Sequence, residues 1–151
     1  MSVGIGYDSH RFAEGRPLVL GGVEIEHPRG LAGHSDADVL THAVIDALLG
    51  AAGMGDIGTL FPDDEELWRD ANSIDLLRTV VGTIGGRIVN IDATIVCEEP
   101  RLAPHRAEMQ RIIAEATSAR VSVKATTNEG MGWIGRGEGI ACIAVASVES
   151  D

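Results

Sequence analysis

The sequence predicts a single α/β domain of the α+β type, with two layers in which helices pack on one face of a mixed β-sheet. Three observations predict it. The length of 151 residues is that of one ordinary domain. Predicted elements follow the order strands, helix, helix, strand, helix and two strands. No repeat, low-complexity tract or linker divides the chain, so the predicted domain spans residues 1–151.

The first half of the chain contains strands followed by the clearest helix. The opening run SVGIGYDSHRF has β-forming residues without helical spacing, and LVLGGVEIEH predicts two short strands joined by a turn at Gly21–Gly22. In SDADVLTHAVIDALLGAAG the apolar residues recur with a period close to 3.6, which predicts a helix. We expect Ser35 to be its N-cap, with Asp38 completing a near capping box.

The second half begins with an irregular, acidic connection. A second helix is predicted from Ser73 to Gly85, the run RIVNIDATIVCEE predicts a strand with two unlike faces, and Pro104 suits the first position of a third helix. The last two strands, VSVKATT and GIACIAVASV, flank a glycine-rich segment. Because the final strand is apolar on both faces, we expect it to be central in the sheet or to lie at a subunit contact.

The composition limits the partners of this protein. Aromatic residues make up 3% of the chain and hydrophobic residues 44%, so the core must consist mainly of aliphatic side chains and alanine. The formal net charge of −11 argues against nucleic acid and anionic membranes as partners. Lys124 is the only lysine among twelve Lys and Arg residues. Metal ions and guanidinium groups are therefore the expected partners of an anionic substrate.

The sequence also predicts where the protein resides. It shows neither a charged leader with an apolar centre nor a run of about 18 apolar residues. We therefore expect a soluble, cytoplasmic protein.

Cys97 and Cys142 each lie in an apolar, strand-like run, and their spacing matches neither a redox pair nor a zinc knuckle. We expect both thiols to be reduced and buried.

The stretch GYDSH places Asp8 and His10 two residues apart on a predicted strand. Side chains with this spacing share one face, so the two can converge on a metal ion. The first helix supplies His42, with His34 just before the helix. One aspartate and two histidines leave the fourth position of a tetrahedral zinc ion open, as in catalytic sites. The spacing alone is equally compatible with a hydrogen-bonded surface pair and a core histidine.

Three other segments carry groups that suit a phosphorylated substrate. In KATTNEGMGWIGRGEGIA, Thr126 and Thr127 offer hydroxyls to phosphate oxygens and Glu129 is a hard ligand for magnesium, although a glycine-rich hairpin is the alternative. The loop in CEEPRLAPH is stiffened by two prolines and can read a planar base, although a plain connection is the commoner case. Asp56 and Asp63 can bind hydroxyls or metals, or simply be solvated.

The order of these segments decides between the alternatives. The chain resembles the 2-C-methyl-D-erythritol 2,4-cyclodiphosphate synthase family, the cyclising enzymes of the non-mevalonate isoprenoid pathway. The segments that carry the resemblance are GYDSHRF, LGGVEI, GLAGHSDADVLTHAVIDALLGAAGMGDIGTLFPD, NIDATIVCEEPRLAPH and VKATTNEGMGWIGRGEGIACIAVA. Together they cover nearly the whole chain.

The resemblance implies a homotrimer whose sheets surround a central pore, with active sites at the subunit contacts. It implies that Asp8, His10 and His42 hold zinc and that Glu129 holds magnesium or manganese. The implied substrate is 4-diphosphocytidyl-2-C-methyl-D-erythritol 2-phosphate, whose 2-phosphate attacks the β-phosphorus and expels CMP. A metal-dependent phosphohydrolase and a trimer that binds isoprenoid diphosphates are the two alternatives.

The resemblance also implies the roles of further residues. His34 and Thr127 are the implied catalytic residues, and His34 with Ser35 contacts substrate phosphate. Thr126 and Thr127 grip the diphosphate. Asp56 and Gly58 are assigned to ribose, and Asp63 to the methylerythritol hydroxyl. Cytosine is assigned to Cys97, Pro100, Arg101, Leu102 and Ala103. Trp133 and Arg136 are assigned to an isoprenoid diphosphate bound in the pore. Arg101 stands where many relatives have lysine, and Trp133 where phenylalanine is frequent.

Overall fold

The computed structural model describes residues 1–60 and 71–151. Its strands are β1 (Ser2–Ala13), β2 (Leu18–Leu20), β3 (Val23–Ile25), β4 (Gly30–Leu31), β5 (Arg87–Val96), β6 (Arg120–Thr126) and β7 (Gly139–Glu149). Its helices are α1 (Val39–Ala52), α2 (Ile57–Leu60), α3 (Ser73–Thr83), α4 (Arg106–Thr117) and α5 (Gly132–Gly135), with a 3₁₀ turn at Ala103–His105 before α4. No helix in these two ranges is long and apolar enough to cross a membrane. The cytoplasmic location stays a prediction.

The main sheet has five strands in the order β4-β1-β7-β5-β6. The β5–β6 pair is parallel and the other pairs are antiparallel, while β2 and β3 form a separate hairpin. Helix α1 packs on β1 and β7, and α4 packs on β6. The predicted mixed sheet with helices on one face is therefore confirmed. The final strand, β7, is central as expected, because it lies between β1 and β5.

The glycine-rich segment before β7 is not the turn of a hairpin. Strands β6 and β7 are separated in the sheet by β5. The chain therefore has to pass over the end of β5 between them, which needs a longer connection than a tight turn. The hairpin alternative for this segment is wrong.

Two glycines let α1 lie directly on β1. A Cβ added at Gly4 would be 2.0 Å from the carbonyl oxygen of Ala47, and one at Gly6 would be 1.9 Å from that of Ala43. Neither neighbour can move without moving the helix, since both atoms belong to the backbone. This close approach places His42, next to Ala43 on α1, beside the C-terminal half of β1.

Gly6→Ala is accordingly expected to destabilise the fold by about 2–3 kcal/mol, because the methyl group must push α1 away from β1. The measurement is the free energy of unfolding from urea denaturation. Gly50→Ala is the matched control, because its Cβ would come no closer than 3.7 Å to any neighbour. That control should be neutral or stabilising by about 1 kcal/mol, as expected for glycine in a helix. Equal stabilities of the two variants would contradict the close approach.

The structure corrects the predicted start of α1. Its N-cap is Asp38, whose carboxylate accepts from the Thr41 backbone N–H at 3.0 Å, and not Ser35. Asp38 is fully buried and also accepts from the backbone N–H groups of Gly21 and Gly22, each at 2.8 Å. It thus joins α1 to the β2–β3 hairpin. A second correction concerns Pro104, which lies in the 3₁₀ turn before α4 instead of the first position of that helix.

The sheet face away from the helices carries exposed apolar side chains. Val3, Ile5 and Tyr7 on β1 are 67%, 69% and 54% exposed, and Ile143 and Val145 on β7 are also exposed. Ile5 pairs with Val145 and Tyr7 with Ile143, so the five side chains form one patch, which we call the outer apolar face. Alternation along the strands sends their other neighbours toward α1. A patch of this kind marks an interaction surface.

Candidate active site

The three predicted zinc ligands converge at one place. Asp8 and His10 lie on the α1 side of β1, and His42 faces them from α1. Asp8 Oδ2 is 2.8 Å from His10 Nε2 and 3.1 Å from His42 Nδ1. All three ligand atoms lie within 4.8 Å of one another. Ligands of a tetrahedral zinc ion with bonds of about 2.0–2.1 Å are about 3.3 Å apart, so the spacing fits such an ion.

The imidazole of His10 offers a free nitrogen to this centre. Its Nδ1 is 2.7 Å from the carbonyl oxygen of Ala32, which can only accept a hydrogen bond, so Nδ1 carries the proton of the neutral ring. His10 Nε2 is buried and has no hydrogen-bond partner among the described residues. Asp8 approaches it closely, but outside hydrogen-bond geometry. A buried nitrogen lone pair beside a carboxylate is what a divalent cation would satisfy.

The charges in the triad also favour a cation. Burial alone would raise the pKa of Asp8, but the close contacts and charges of His10 and His42 outweigh it and lower that pKa. For His42, burial alone would lower the pKa, and the hydrogen bond and charge of Asp8 reverse this and raise it. Asp8 is therefore an ionised carboxylate that draws positive charge toward both rings. Its arrangement with two imidazoles fits a zinc-like divalent ion.

The segment before α1 lies between the two histidines. A Cβ at Gly33 would be 3.2 Å from the His10 ring, and Ser35 Oγ is 3.1 Å from His42 Nε2. His34, between them, is exposed. Arg16 fixes this segment, because its guanidinium donates to the carbonyl oxygens of Gly33 and Ser35 at 2.6 Å and 2.5 Å. Nothing in the local sequence pattern marks Arg16 for this role.

The residues assigned to ribose lie beyond the C-terminal end of α1. Asp56 is exposed and accepts from the backbone N–H and the hydroxyl of Thr59, both at 2.9 Å, which lowers its pKa. It therefore caps α2, which contains Gly58. Asp46, one turn after His42 on α1, accepts from the Ile57 backbone N–H at 2.7 Å and ties this loop to the helix. Asp63 lies outside the described residues.

A second cleft lies at the other edge of the sheet, between β5, β6 and α4. Its volume is about 190 Å³. It is lined by seven residues that sequence reasoning had assigned to substrate, namely Cys97, Pro100, Arg101, Leu102, Ala103, Thr126 and Thr127. Glu98, which lies within the predicted base-binding loop, also lines it, as does Arg106, which was not foreseen. We call this cleft the β5–β6 pocket.

Cys97 contributes an inert side chain to the β5–β6 pocket. Burial, with a smaller contribution from the charge of Glu98, raises the pKa of its thiol to about 11. The group is therefore protonated at neutral pH and is a poor nucleophile. Both Cys97 and Cys142 are free and buried, as predicted.

Glu98 ties together the two loops that form the β5–β6 pocket. Its carboxylate accepts from the backbone N–H of Asn128 at 2.7 Å and from that of Gly130 at 3.0 Å. Glu129, between them, has a φ of 54° and an exposed side chain. Within one chain Glu129 does not belong to the metal-binding triad. The structure places it beside the pocket threonines.

Trp133 and Arg136 lie outside the β5–β6 pocket. Trp133 lines a cleft of about 540 Å³ together with His10 and Arg29. Arg136 lines an adjacent cleft, where its Nε donates to Glu138 at 2.6 Å. The structure thus separates these two from the residues assigned to cytosine and diphosphate.

Strand register sets the distance between the triad and the β5–β6 pocket. Asp8 on β1 pairs with Cys142 on β7, which pairs with Ile95 on β5, which pairs with Ala125 on β6. These four residues form one row across the sheet. Three strand spacings of about 4.8 Å separate its ends by roughly 14 Å. Within one chain, therefore, the triad and the pocket lie at opposite edges.

The family of the chain follows from comparison with known proteins. A sequence model of the YgbB family matches residues 1–149. The chain belongs to the YgbB family. A YgbB relative, the 2-C-methyl-D-erythritol 2,4-cyclodiphosphate synthase of Syntrophomonas wolfei subsp. wolfei, is 56% identical over 155 residues, and the match covers 99% of each chain. The resemblance to the synthase family that the motifs indicate is thereby confirmed. The enzyme class, a lyase that acts on phosphorus–oxygen bonds, is confirmed as well.

Solved structures share the fold of this chain. A 2C-methyl-D-erythritol-2,4-cyclodiphosphate synthase in its CDP-bound form matches with a TM-score of 0.87 at 35% identity, covering 97% of this chain and 99% of that one. The bifunctional IspDF from Campylobacter jejuni matches with a TM-score of 0.92 at 44% identity and covers 96% of this chain. This chain spans 41% of that longer protein.

Proposed function

We propose that residues 1–151 act as one catalytic domain that converts 4-diphosphocytidyl-2-C-methyl-D-erythritol 2-phosphate to 2-C-methyl-D-erythritol 2,4-cyclodiphosphate and CMP. The observation that carries the proposal is the convergence of Asp8 Oδ2, His10 Nε2 and His42 Nδ1, with a buried nitrogen left unpaired. An ion held there would be zinc, by the choice of ligands. When bound, it supplies Lewis-acid polarisation and charge neutralisation at the β-phosphate.

The reaction needs positioning more than it needs a strong base. An oxygen of the 2-phosphate attacks the β-phosphorus, the bond from that phosphorus to the oxygen bridging to the α-phosphate breaks, and CMP leaves with that oxygen. No water enters the product. The ring can close only if the two phosphates are held together, which is the kind of barrier that orientation lowers. We assign the attacking phosphate to Ser35, which contacts the His42 ring, and to the exposed His34 next to it in the chain.

The β5–β6 pocket is the proposed binding site of the cytidine. Its loop from Cys97 to Ala103 would read cytosine, largely through backbone groups, and Thr126 and Thr127 would hold the diphosphate. Glu129 would bind a magnesium or manganese ion between the phosphates. Arg106 adds a guanidinium at the same place. Ribose is assigned to Asp56 and Gly58, and the methylerythritol hydroxyl to Asp63.

Two features support an active site shared between subunits of a homotrimer. The triad on β1 is two strand spacings from the β5 wall of the pocket and three from its β6 wall, about 10 and 14 Å, which is too wide for one β-phosphate to contact both within a chain. The outer apolar face, with Ile5 and Tyr7 more than half exposed, needs a partner to cover it. Trimerisation through the sheets would bury that face and bring the triad of one subunit to the pocket of the next. Trp133 and Arg136 are then proposed to face the central pore, with isoprenoid diphosphate as its ligand.

The direct test is the product. The full chain, supplied with zinc and magnesium, is incubated with the diphosphocytidyl 2-phosphate substrate, and the products are identified by mass spectrometry. The proposal predicts equimolar cyclic diphosphate and CMP, with no oxygen incorporated from ¹⁸O-labelled water. A phosphohydrolase would instead give labelled, open-chain product. Tight binding without turnover would favour a role in binding isoprenoid diphosphates.

A further inference from the structure

The far side of the His42 ring contacts a buried serine that comes from another helix. His42 Nε2 is 2.8 Å from the hydroxyl oxygen of Ser73, the first residue of α3. Ser73 is completely buried. His42 thus has Asp8 and the metal position on its Nδ1 side and Ser73 on its Nε2 side. Which nitrogen carries the proton of the neutral ring decides whether Nδ1, the nitrogen that faces the metal position, can bind a metal.

The proton of the Ser73 hydroxyl is committed elsewhere. Ser73 Oγ donates to Asp36 Oδ1, and the Ser73 backbone N–H donates to Asp36 Oδ2 at 2.9 Å. The backbone N–H of Asp38 adds a third donor to this carboxylate, at 3.1 Å. An ionised carboxylate can only accept hydrogen bonds, so Asp36 donates no proton to Ser73 Oγ. Ser73 Oγ can therefore only accept from His42 Nε2, while Asp8 Oδ2 can accept from Nδ1. Once a divalent ion takes the place between Asp8 and Nδ1, the proton of the neutral imidazole belongs on Nε2, where Ser73 accepts it.

We propose that Ser73 and Asp36 are positioning residues of the metal centre, which hold the proton of His42 on Nε2 so that Nδ1 is free to bind the ion. The inference rests on the metal site of the proposed function and deepens it. In the opposite tautomer, Nδ1–H would point at Asp8 and occupy the place of the ion. Outer partners of this kind change metal affinity by about 10- to 100-fold when removed.

His10 makes the comparison instructive. Its far nitrogen donates to a backbone carbonyl, that of Ala32, so no side chain sets its proton. His42 depends on side chains instead, through the chain of contacts from Nε2 to Ser73 and on to Asp36. Ser35 Oγ is also near Nε2, at 3.1 Å, but it is the longer contact and accepts from the Ala37 backbone N–H. Ser73 therefore determines the position of the His42 proton more strongly than Ser35 does.

Asp36 also has a structural role, because its backbone N–H donates to the Ala71 carbonyl oxygen at 3.1 Å and joins the loop before α1 to the region of α3. The test must therefore separate an effect on the metal centre from a loss of stability. The test is zinc affinity, measured with the metal alone by chelator competition on the full chain. Ser73→Ala should lower this affinity about 10- to 100-fold. The control is Thr117→Val, which removes another buried hydroxyl, one that donates to the Ile113 carbonyl on α4. It should leave zinc affinity unchanged at a comparable loss of stability.

Asp36→Asn gives the sharper outcome. Where the amide NH₂ takes the Oδ1 position, it donates to Ser73 Oγ and turns the serine proton toward His42 Nε2, so that the neutral ring carries its proton on Nδ1. Zinc affinity should then fall at least as far as in Ser73→Ala. The ¹⁵N spectrum of His42 in the zinc-loaded chain reports directly which ring nitrogen carries the proton. The wild-type chain should show the proton on Nε2.

The inference is overturned if wild-type His42 carries its proton on Nδ1, or if Ser73→Ala binds zinc as tightly as the wild-type chain. The spectrum of the wild-type chain decides the matter even if a variant fails to fold. Failure of the proposed function is a separate result. In that case the wild-type chain binds zinc with Ser73 and Asp36 behaving as stated, but makes no cyclic product.

Discussion

His42→Ala is expected to lose the bound divalent ion and to cyclise substrate roughly 1,000-fold more slowly, since a metal contributes several kcal/mol to stabilising charge on a phosphoryl group. Removing one imidazole leaves Asp8 and His10, which are too few ligands for a stable zinc site. Zinc content by elemental analysis and the rate of CMP release are the two measurements. Both should fall together.

His105→Ala is the matched control for this substitution. His105 lies in the turn before α4, away from the triad, and should retain both zinc and activity. A His42→Ala chain that cyclises substrate normally without bound zinc would refute the assignment of the metal centre.

Glu129→Gln is expected to weaken the requirement for magnesium or manganese and to lower the rate about 100-fold, because the neutral amide is a poorer ligand for a hard cation. The backbone should be preserved, since the loop is held by Glu98 through the N–H groups on either side of Glu129. The measurement is CMP release as a function of magnesium concentration. Zinc content should not change.

Glu24→Gln serves as the control, because Glu24 is an exposed acid on β3, away from the β5–β6 pocket. It should titrate with magnesium as the wild-type chain does. An unchanged magnesium dependence in Glu129→Gln would count against Glu129 as the second metal ligand.

The metal triad was accessible to sequence reasoning because its geometry is local. The two-residue spacing of Asp8 and His10 on a strand already puts them on one face, and the period of α1 places His42 toward the sheet. The sequence did not reveal why the helix can come so close. That depends on Gly4 and Gly6, whose lack of a side chain matters only once α1 is known to cross β1.

The predicted start of α1 was wrong for a related reason. Ser35 has the right residue type and spacing for an N-cap, but Asp38 gains three further donors, two of them from the distant β2–β3 hairpin. A cap decided by tertiary contacts cannot be read from local pattern. The same holds for Ser73 and Asp36, which are 37 residues apart and meet behind His42.

The pocket was recognised through the resemblance of its loops, and its members do line one cleft. What escaped the sequence was the spatial order of the strands. Because β5 lies between β6 and β7, the walls of the pocket are two and three strands from the triad, which is too far for one phosphate to contact both within a chain. The sharing of one active site by two subunits is therefore the central claim.

Complementation between two inactive chains tests that claim most directly. His42→Ala lacks the triad and Glu129→Gln lacks the second metal ligand, so each should be nearly inactive alone. When the two are unfolded, mixed in equal amounts and refolded together, random trimers should pair an intact triad with an intact pocket at about a quarter of their sites. We predict that this fraction of wild-type activity returns, and does not return when the folded variants are merely mixed in the assay. Activity no greater than the sum of the two separate variants would contradict a site shared between subunits.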